Sequence, residues 1–412
     1  MGKPHIKQWF DIHSCLGVTS GLLLFLVCWT GCFCTLSNEF DWLVQPSHWV
    51  ERAETVEYQH LVDVAQNAYP AGLVTHVFAP LHKNAPVKIW VYTQQQQLRQ
   101  IWVDPAVIEI VADTSRATLR RFFVLLHYSL FDPAGVGLII VTSLSFPLLA
   151  LLISALIFYK QWWRRLLTIR FGSGARAFVS SLHKLSGLWA VWFITIMVAT
   201  GGFYLYEHIA HRFFDQKKIY AAPGEFAANP FAPGNLADRD PISLERAIDV
   251  LRETRPNLKV KAIVLNNRGY YNIVGQDGSL LVRDSANAVF IDRGTGQIAY
   301  NQKASDLPLY WRMVATADPL HFGNFGGLTT KLIWFVFGLG LSGLALSGVW
   351  LHVQRIERAR GDAATRRGAL TALGATSVLF VWVIAEGVAE FRSWGPMVDG
   401  ARAMPQLAPG VA

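Results

Sequence analysis

Several histidines stand at repeated positions in this sequence. His13 is followed by a glycine at +4 and a Thr-Gly pair at +17 and +18, and His183 is followed by the same residues at the same distances. A looser repeat places Leu-His at His127 and again at His321. Neutral imidazole is a common metal ligand, and an unpartnered ionisable side chain in a membrane is costly. These four histidines are therefore candidate metal ligands.

Long apolar segments must position these side chains. The chain is 52% hydrophobic and only 16% charged, which excludes an ordinary soluble protein. Runs of about 18 or more apolar residues predict membrane helices. We place five of them, at 13–36, 135–159, 185–206, 328–352 and 370–389.

Positive charge sets the predicted orientation. The segment 160–184 carries six Lys or Arg residues and no acid, and 353–369 is also strongly basic. Short basic loops stay in the cytoplasm, so the net charge of +8 does not imply nucleic-acid binding. We expect a multi-pass protein of a bacterial inner membrane with a cytoplasmic N-terminus. Segments 1–12, 160–184 and 353–369 are then cytoplasmic, and 37–134, 207–327 and 390–412 are extracytoplasmic.

The two long external segments also resemble one another. In each, one amphipathic helix precedes alternating apolar runs that predict strands. Helices are expected at 58–68 and, with Ser243 as N-cap, at 244–253. The predicted strands are 74–79, 87–93, 98–103 and 107–111, then 260–265, 270–274, 280–283 and 289–292. This predicts two small α+β domains on an internally duplicated helical bundle.

These motifs together resemble a known family. His183-Lys-Leu-Ser-Gly-Leu-Trp with its Thr-Gly pair, the Leu-His pairs at His127 and His321, and the module at 243–300 are similar to PepSY-associated transmembrane proteins. The resemblance covers about residues 8–356. It implies PepSY-like external domains, and within the family the FoxB-type inner-membrane ferric-siderophore reductases are the nearest functional model. The fifth helix departs from a four-helix pattern.

The histidines fall into two predicted layers. His13 and His183 begin parallel helices at the inner face, and His127 and His321 lie at the outer face. From His321 to His352 are 31 residues, about 45 Å of helix, so His352 returns to the inner face. Helical bundles commonly hold cofactors between facing helices. We expect two b-type haems, one between His13 and His183 and one between His127 and His321.

Other interpretations of these residues stay open. His352 is the rival inner ligand, and all five histidines could instead be interface residues or helix caps. The glycines of the repeat could make room for a macrocycle or for close helix packing. Arg164 and Arg165 could pair with haem propionates or only obey the charge rule for loops.

The sequence lacks the usual nucleotide, flavin and hydrolase motifs. Electrons would therefore come from quinol or a separate cytoplasmic reductase and pass to an external ferric siderophore, releasing Fe(II). Two other functions remain: a membrane-anchored binding or regulatory module without catalysis, and a transporter component. The repeats are parallel and lack intramembrane acid pairs, which disfavours a transporter.

Overall fold

The computed structural model describes residues 3–115, 118–132, 135–164, 166–172, 174–213, 241–267, 269–358 and 363–393. The chain divides into two units, each built from segments that are far apart in sequence. The helical unit comprises Met1–Ser37, Phe122–Asp215 and Leu320–Ser393. Of the described residues, the sheet unit comprises Asn38–Arg121 and those within Gln216–Pro319.

Twelve α-helices occur in the described residues. In chain order they are α1 (Lys3–Thr35), α2 (Ser37–Val44), α3 (Tyr58–Ala68), α4 (Leu119–Ser129), α5 (Val136–Ser143), α6 (Ser145–Phe158), α7 (Ala175–Trp189), α8 (Val191–Phe213), α9 (Leu244–Thr254), α10 (Leu309–Phe322), α11 (Gly327–Arg358) and α12 (Ala363–Ser393).

Three stretches of helix in the described residues are long and apolar enough to cross a membrane. They are His5–Thr35, Val136–Phe158 and Gly327–Ile356. A fourth crossing results if α7 and α8, which are bent by 63° at Ala190, count as one span. These helices agree with three of the five predicted spans, and with a fourth if the bent pair is one crossing. They are the transmembrane helices of a membrane protein.

The fifth predicted span falls on α12. Its continuously described apolar part, Ser377–Ala389, is shorter than a membrane crossing. The helix packs against α1, where Val383 joins a buried cluster with Leu26 and Leu126. A fifth crossing therefore stays a prediction, and the predicted tail beyond Ser393 lies outside the described residues.

The second half of the predicted cytoplasmic loop 160–184 is helical. Helix α7 begins at Ala175, so His183 lies near the middle of one helix and not at the start of a straight span. The bend at Ala190 then redirects the chain into α8. Apolar periodicity predicted the span but missed the bend, because the residues on both sides of Ala190 favour helix equally.

The helical unit is held by apolar contacts between four helical segments. Helix α1 packs against α6 and α11, α6 packs against α8, and α7 packs against α11. Buried Leu24, Phe193 and Trp334 form the centre of this packing. In lipid, close fit rather than hydrophobic burial holds such helices together. This arrangement brings the two copies of the repeat face to face.

The sheet unit contains one antiparallel sheet of eight strands. They are β1 (Leu73–Phe78), β2 (Val87–Tyr92), β3 (Leu98–Asp104), β4 (Glu109–Thr114), β5 (Lys259–Asn267), β6 (Tyr270–Gln276), β7 (Ala288–Asp292) and β8 (Ile298–Gln302), in the spatial order β4-β3-β2-β1-β5-β6-β7-β8.

The two predicted modules share this sheet. Strand β1 pairs antiparallel with β5, with Val77 opposite Ile263. Each copy alone would leave its first strand with an unpaired edge, and edge pairing satisfies both. A single core of both copies lies on one face, with Ile89, Val77 and Ile263 fully buried. The two segments expected as separate domains thus fold around one core.

The helices of the two modules cap one another. The amide of Gln59 at the start of α3 donates to Glu245 Oε1 at 2.6 Å, and the amide of Leu244 at the start of α9 donates to Gln59 Oε1 at 2.8 Å. The Ser243 N-cap is confirmed, since its Oγ accepts from the amide of Arg246. These bonds satisfy helix-terminal N–H groups that have no partner within their own helix.

One predicted strand is wrong and one was missed. Residues 280–283 form a turn, with Leu281 at a φ of 54° and Val282 buried in a side cluster with Ala286 and Ala304. The last strand, Ile298–Gln302, was not expected. A short apolar run predicts burial, and here the burial is supplied by a turn instead of the sheet.

Candidate histidine sites

The repeated histidines meet in two pairs in the helical unit. His13 on α1 and His183 on α7 form the first pair, with ring centroids 6.5 Å apart and planes at 88°. His127 on α4 and His321 on α10 form the second pair, with centroids 6.1 Å apart and planes at 45°. The structure therefore brings together the residues that the repeat predicted as partners.

In the first pair, both rings are held by Nδ1. His13 Nδ1 lies 3.0 Å from the carbonyl oxygen of Leu151 and 3.1 Å from Ser154 Oγ. A carbonyl only accepts, so Nδ1 carries the hydrogen and donates. His183 Nδ1 lies 2.8 Å from Ser347 Oγ, whose own hydrogen is donated to the Leu344 carbonyl. That hydroxyl accepts, and His183 also donates from Nδ1.

The second pair repeats this arrangement. His127 Nδ1 donates to the carbonyl of Val27 at 2.8 Å. His321 Nδ1 lies 2.8 Å from Thr200 Oγ1, and that hydroxyl donates its hydrogen to the Ile196 carbonyl. The hydroxyl therefore accepts from His321.

The consequence for all four rings is the same tautomer. With the hydrogen on Nδ1, Nε2 carries a lone pair, and among the described residues it has no hydrogen-bond partner. Two metal–nitrogen bonds of about 2.0 Å each, plus the half-widths of two rings, give a centroid separation of about 6 Å. Both pairs have the separation that one metal between two imidazoles requires.

These contacts are what fixes a metal-binding histidine. A ligating imidazole almost always donates its second nitrogen to a carbonyl, carboxylate or water, which sets its tautomer and orientation. Ser347 and Thr200 were not identified as site residues from the sequence. Thr200 is part of the repeat, and its recurrence at +17 was the available signal.

A cavity of about 680 Å³ lies at the first pair, among α1, α6, α7, α8 and α11. Its wall is mostly apolar, with His13 and His183 among the lining residues. Binding pockets for cofactors and small molecules have volumes of about 300–1,000 Å³. The cavity therefore has room for a large planar ligand beside the two imidazoles.

Two glycines lie against the histidine rings. A Cβ at Gly31 would lie 2.8 Å from His127 Cε1, closer than side chains can pack. A Cβ at Gly348 would lie 3.4 Å from His183 Cε1. By contrast, Gly21 and Gly338 face side chains of neighbouring helices, and nothing lies within 4 Å of a Cβ at Gly340 or Gly343. Gly21 and Gly338 therefore allow close helix packing, and Gly31 leaves space for the His127 ring.

His352 occupies a different place from the four paired histidines. Its Nδ1 lies 2.6 Å from Ser14 Oγ, and its buried Nε2 has no hydrogen-bond partner within the described part of the chain. The side chain lines the same cavity as the first pair. The ring pairing favours His183 with His13, and His352 is a third imidazole of that cavity.

Three positively charged side chains line the cavity. In the sequence analysis they served only to predict which loops are cytoplasmic. They are Arg176, Lys184 and Arg355, whereas Arg164 is exposed elsewhere and Arg165 lies outside the described residues. Lys184 Nζ lies 5.8 Å from the Tyr159 ring centre, and the Arg355 guanidinium lies 5.0 Å from that of Phe10. These cations suit a ligand that carries carboxylates.

The described residues contain no cluster of three or more His, Cys, Asp or Glu side chains that could hold a bare metal ion. Two imidazoles alone suit a metal whose other ligands come with a macrocycle. All four cysteines, Cys15, Cys28, Cys32 and Cys34, lie on α1 and none of them forms a disulfide.

Comparison with known proteins agrees with the resemblance read from the motifs. A search of curated proteins finds no significant match. The model of the PepSY-associated TM region matches residues 10–355, which include both histidine pairs, His352 and the whole described sheet. The chain belongs to the family of the PepSY-associated TM region.

Proposed function

We propose that this protein transfers electrons across a bacterial inner membrane and reduces ferric iron in a siderophore complex on the periplasmic side. It does so with two b-type haems, one between His13 and His183 and one between His127 and His321. The observation that carries the proposal is the pair of imidazole layers, each ring holding its hydrogen on Nδ1. Bound haem iron would supply one-electron chemistry that no side chain here can perform.

The protein's own residues would hold the haems and orient the histidine rings that bind them. Leu151 and Val27 accept from Nδ1 of His13 and His127 and keep Nε2 available as a ligand. Arg176 and Lys184 would neutralise haem carboxylates at the first pair. The wall of the cavity beside these two ligands is mostly apolar.

The two layers divide the path across the membrane. His127 donates to Val27, which lies 14 residues after His13 on the continuous helix α1, so the layers stand about 21 Å apart along it. The N-terminus and the basic segments would face the cytoplasm. The electron donor there would be a quinol or a separate cytoplasmic reductase, and the ferric siderophore would be bound on the periplasmic side.

An absorption spectrum tests the proposal. Protein expressed with ample haem and purified in detergent should show a sharp band that shifts on reduction with dithionite. A variant with His13, His183, His127 and His321 all changed to alanine should be colourless. A colourless wild-type protein would overturn the proposal in favour of a membrane-anchored binding module.

A further inference from the structure

The segment before α7, together with α7 itself, exposes apolar and basic side chains side by side. Leu167 is 82% exposed and Phe171 is 75% exposed, and both lie in a segment rich in cations. The basic-aromatic surface, as we call it, consists of Trp163, Leu167, Phe171, Phe178, Leu182 and Trp189 with the exposed cations Lys160, Arg164 and Arg170.

The charge of this region has one sign. Residues 160–189 contain six Lys or Arg and no Asp or Glu. An exposed surface meant for water usually mixes both signs. A surface with only cations and large apolar side chains complements a membrane surface, which has negatively charged headgroups outside and apolar acyl chains beneath.

This surface is held in place by defined contacts. The indole N–H of Trp189 donates to the Leu166 carbonyl at 2.8 Å, and the amide of Arg170 donates to Ser181 Oγ at 3.1 Å. The rings of Phe171 and Phe178 contact each other with centroids 5.8 Å apart. The segment therefore folds back on α7, and its apolar side chains are exposed together.

Helix α7 has one exposed face and one face that lines the cavity. Phe178, Leu182 and Trp189 lie four and seven residues apart, which places them on one exposed stripe. His183 and other α7 residues line the cavity. The 63° bend at Ala190 inclines α7 steeply to α8. A helix of this kind, apolar and aromatic on one side with flanking cations, is typical of one that lies in the membrane interface.

We propose that the basic-aromatic surface binds the headgroup layer of anionic phospholipids and anchors the helix that carries His183. The aromatic and leucine side chains enter the boundary between headgroups and acyl chains, and Lys160, Arg164 and Arg170 contact lipid phosphates. Cations next to an anionic membrane surface and Trp or Phe at the interface are both favourable there. The inference concerns the helix itself and holds whatever cofactor the cavity accepts.

Lipid titration of the full chain, followed by native mass spectrometry, tests this. Wild-type protein should bind phosphatidylglycerol more tightly than phosphatidylcholine. The double variant R164Q/R170Q should lose about 30-fold in affinity for phosphatidylglycerol, at about fivefold for each cation. The matched control R246Q/K259Q removes two exposed cations of the sheet unit and should bind like wild type.

Hydrogen exchange supplies a second readout. In nanodiscs of phosphatidylglycerol, the amides of α7 should exchange more slowly than in phosphatidylcholine, and R164Q/R170Q should lose this difference. Equal affinity for the two lipids, or a double variant that behaves like wild type in both measurements, would overturn the proposal. So would displacement of the lipid by inorganic phosphate, which would indicate a single-anion site, or a change from dimer to monomer in the variant with lipid binding intact, which would assign the surface to a second copy.

Discussion

In the helical unit both copies of the repeat hold the histidines by a polar contact at Nδ1, although the acceptors differ, whereas in the sheet unit the copies share backbone pairing but not polar partners. Ser154 and Ser347 each donate to the carbonyl three residues earlier and lie beside Nδ1 of His13 and His183. In the sheet unit, however, the residue that follows helix α3 is Tyr69, whereas the residue that follows the corresponding helix α9 is Arg255.

The polar partners of the sheet unit differ accordingly. Tyr69 donates to Asp113, which also pairs with Arg99 at 2.8 Å. Arg255 is buried and donates to Asp277 at 2.8 Å and to Asn301 at 2.8 Å. An apolar core tolerates any polar group whose bonds are satisfied. If the paired histidines hold metals as proposed, each pair would tolerate only imidazoles in a set orientation.

Removal of one paired histidine should have the largest effect. His183→Ala should lose the first haem and about half of the total, and His321→Ala should lose the second. Either change should stop reduction of an external ferric chelate by vesicles that contain the protein, because a path with one layer missing no longer spans the membrane. The measurements are the haem-to-protein ratio and the reduction rate.

The exposed histidine His60 of the sheet unit provides the control. His60→Ala should keep both haems. If His13→Ala keeps two haems while His352→Ala loses one, the first pair becomes His183 with His352. Retention of two haems in every single variant would rule out the histidine assignment.

The next largest effect is a difference in stability loss between the two copies in the sheet unit. Arg255→Met leaves the carboxylate of Asp277 without its buried partner and should cost about 4 kcal/mol of local stability. Tyr69→Phe removes one hydroxyl and should cost about 1 kcal/mol. Hydrogen exchange of the full chain, read at β6 and β7 for Arg255 and at β3 and β4 for Tyr69, measures both. Equal losses would show that the copies depend on their polar clusters alike.

A pH effect of similar but smaller size is expected in the first copy. Burial raises the pKa of Asp41 from 3.8 to about 6, against the opposing influence of Arg120 and Lys88. The folded state therefore binds the proton more tightly than the unfolded state. This contribution is fully present below about pH 4 and is lost as the pH rises through 6, a change of about 3 kcal/mol for two pKa units.

The variant Asp41→Asn isolates this contribution. The stability of wild type minus that of Asp41→Asn, measured by hydrogen exchange at β2 and β3 after correction for pH, should fall between pH 4 and pH 6. A difference that is constant over this range would contradict a raised pKa of the Asp41 carboxyl.

The smallest expected effect tests whether symmetric positions are equivalent. Thr200→Val keeps the shape of the side chain but removes the acceptor for His321 Nδ1, and loss of such a partner weakens metal binding about 10–100-fold. Thr30→Val is the matched control, because His127 donates to the Val27 carbonyl and not to Thr30. Transfer of haem to apomyoglobin measures retention. Equal retention in both variants would mean that the Thr200 hydroxyl does not hold the ring.

Much of the site could be predicted from the sequence because its spacing is chemically unusual. Two histidines with glycine and Thr-Gly at identical offsets predicted His13 with His183, and the paired Leu-His motifs predicted His127 with His321. The period of the apolar residues likewise predicted α3 at its observed bounds. These features depend on residue types and their spacing over short stretches of sequence, so they can be recognised without the structure.

Only the tertiary structure determined the contacts made by backbone groups, because no residue type marks them in the sequence. Every residue has a carbonyl, so no sequence pattern marks Leu151 or Val27 as the acceptor for a histidine. The pairing of β1 with β5 depends on two edges that are almost 200 residues apart, and the bend at Ala190 depends on packing on both of its sides. The spacing of side chains along one helix follows from the 3.6-residue turn, but the meeting of distant backbone groups is set only when the whole chain has packed.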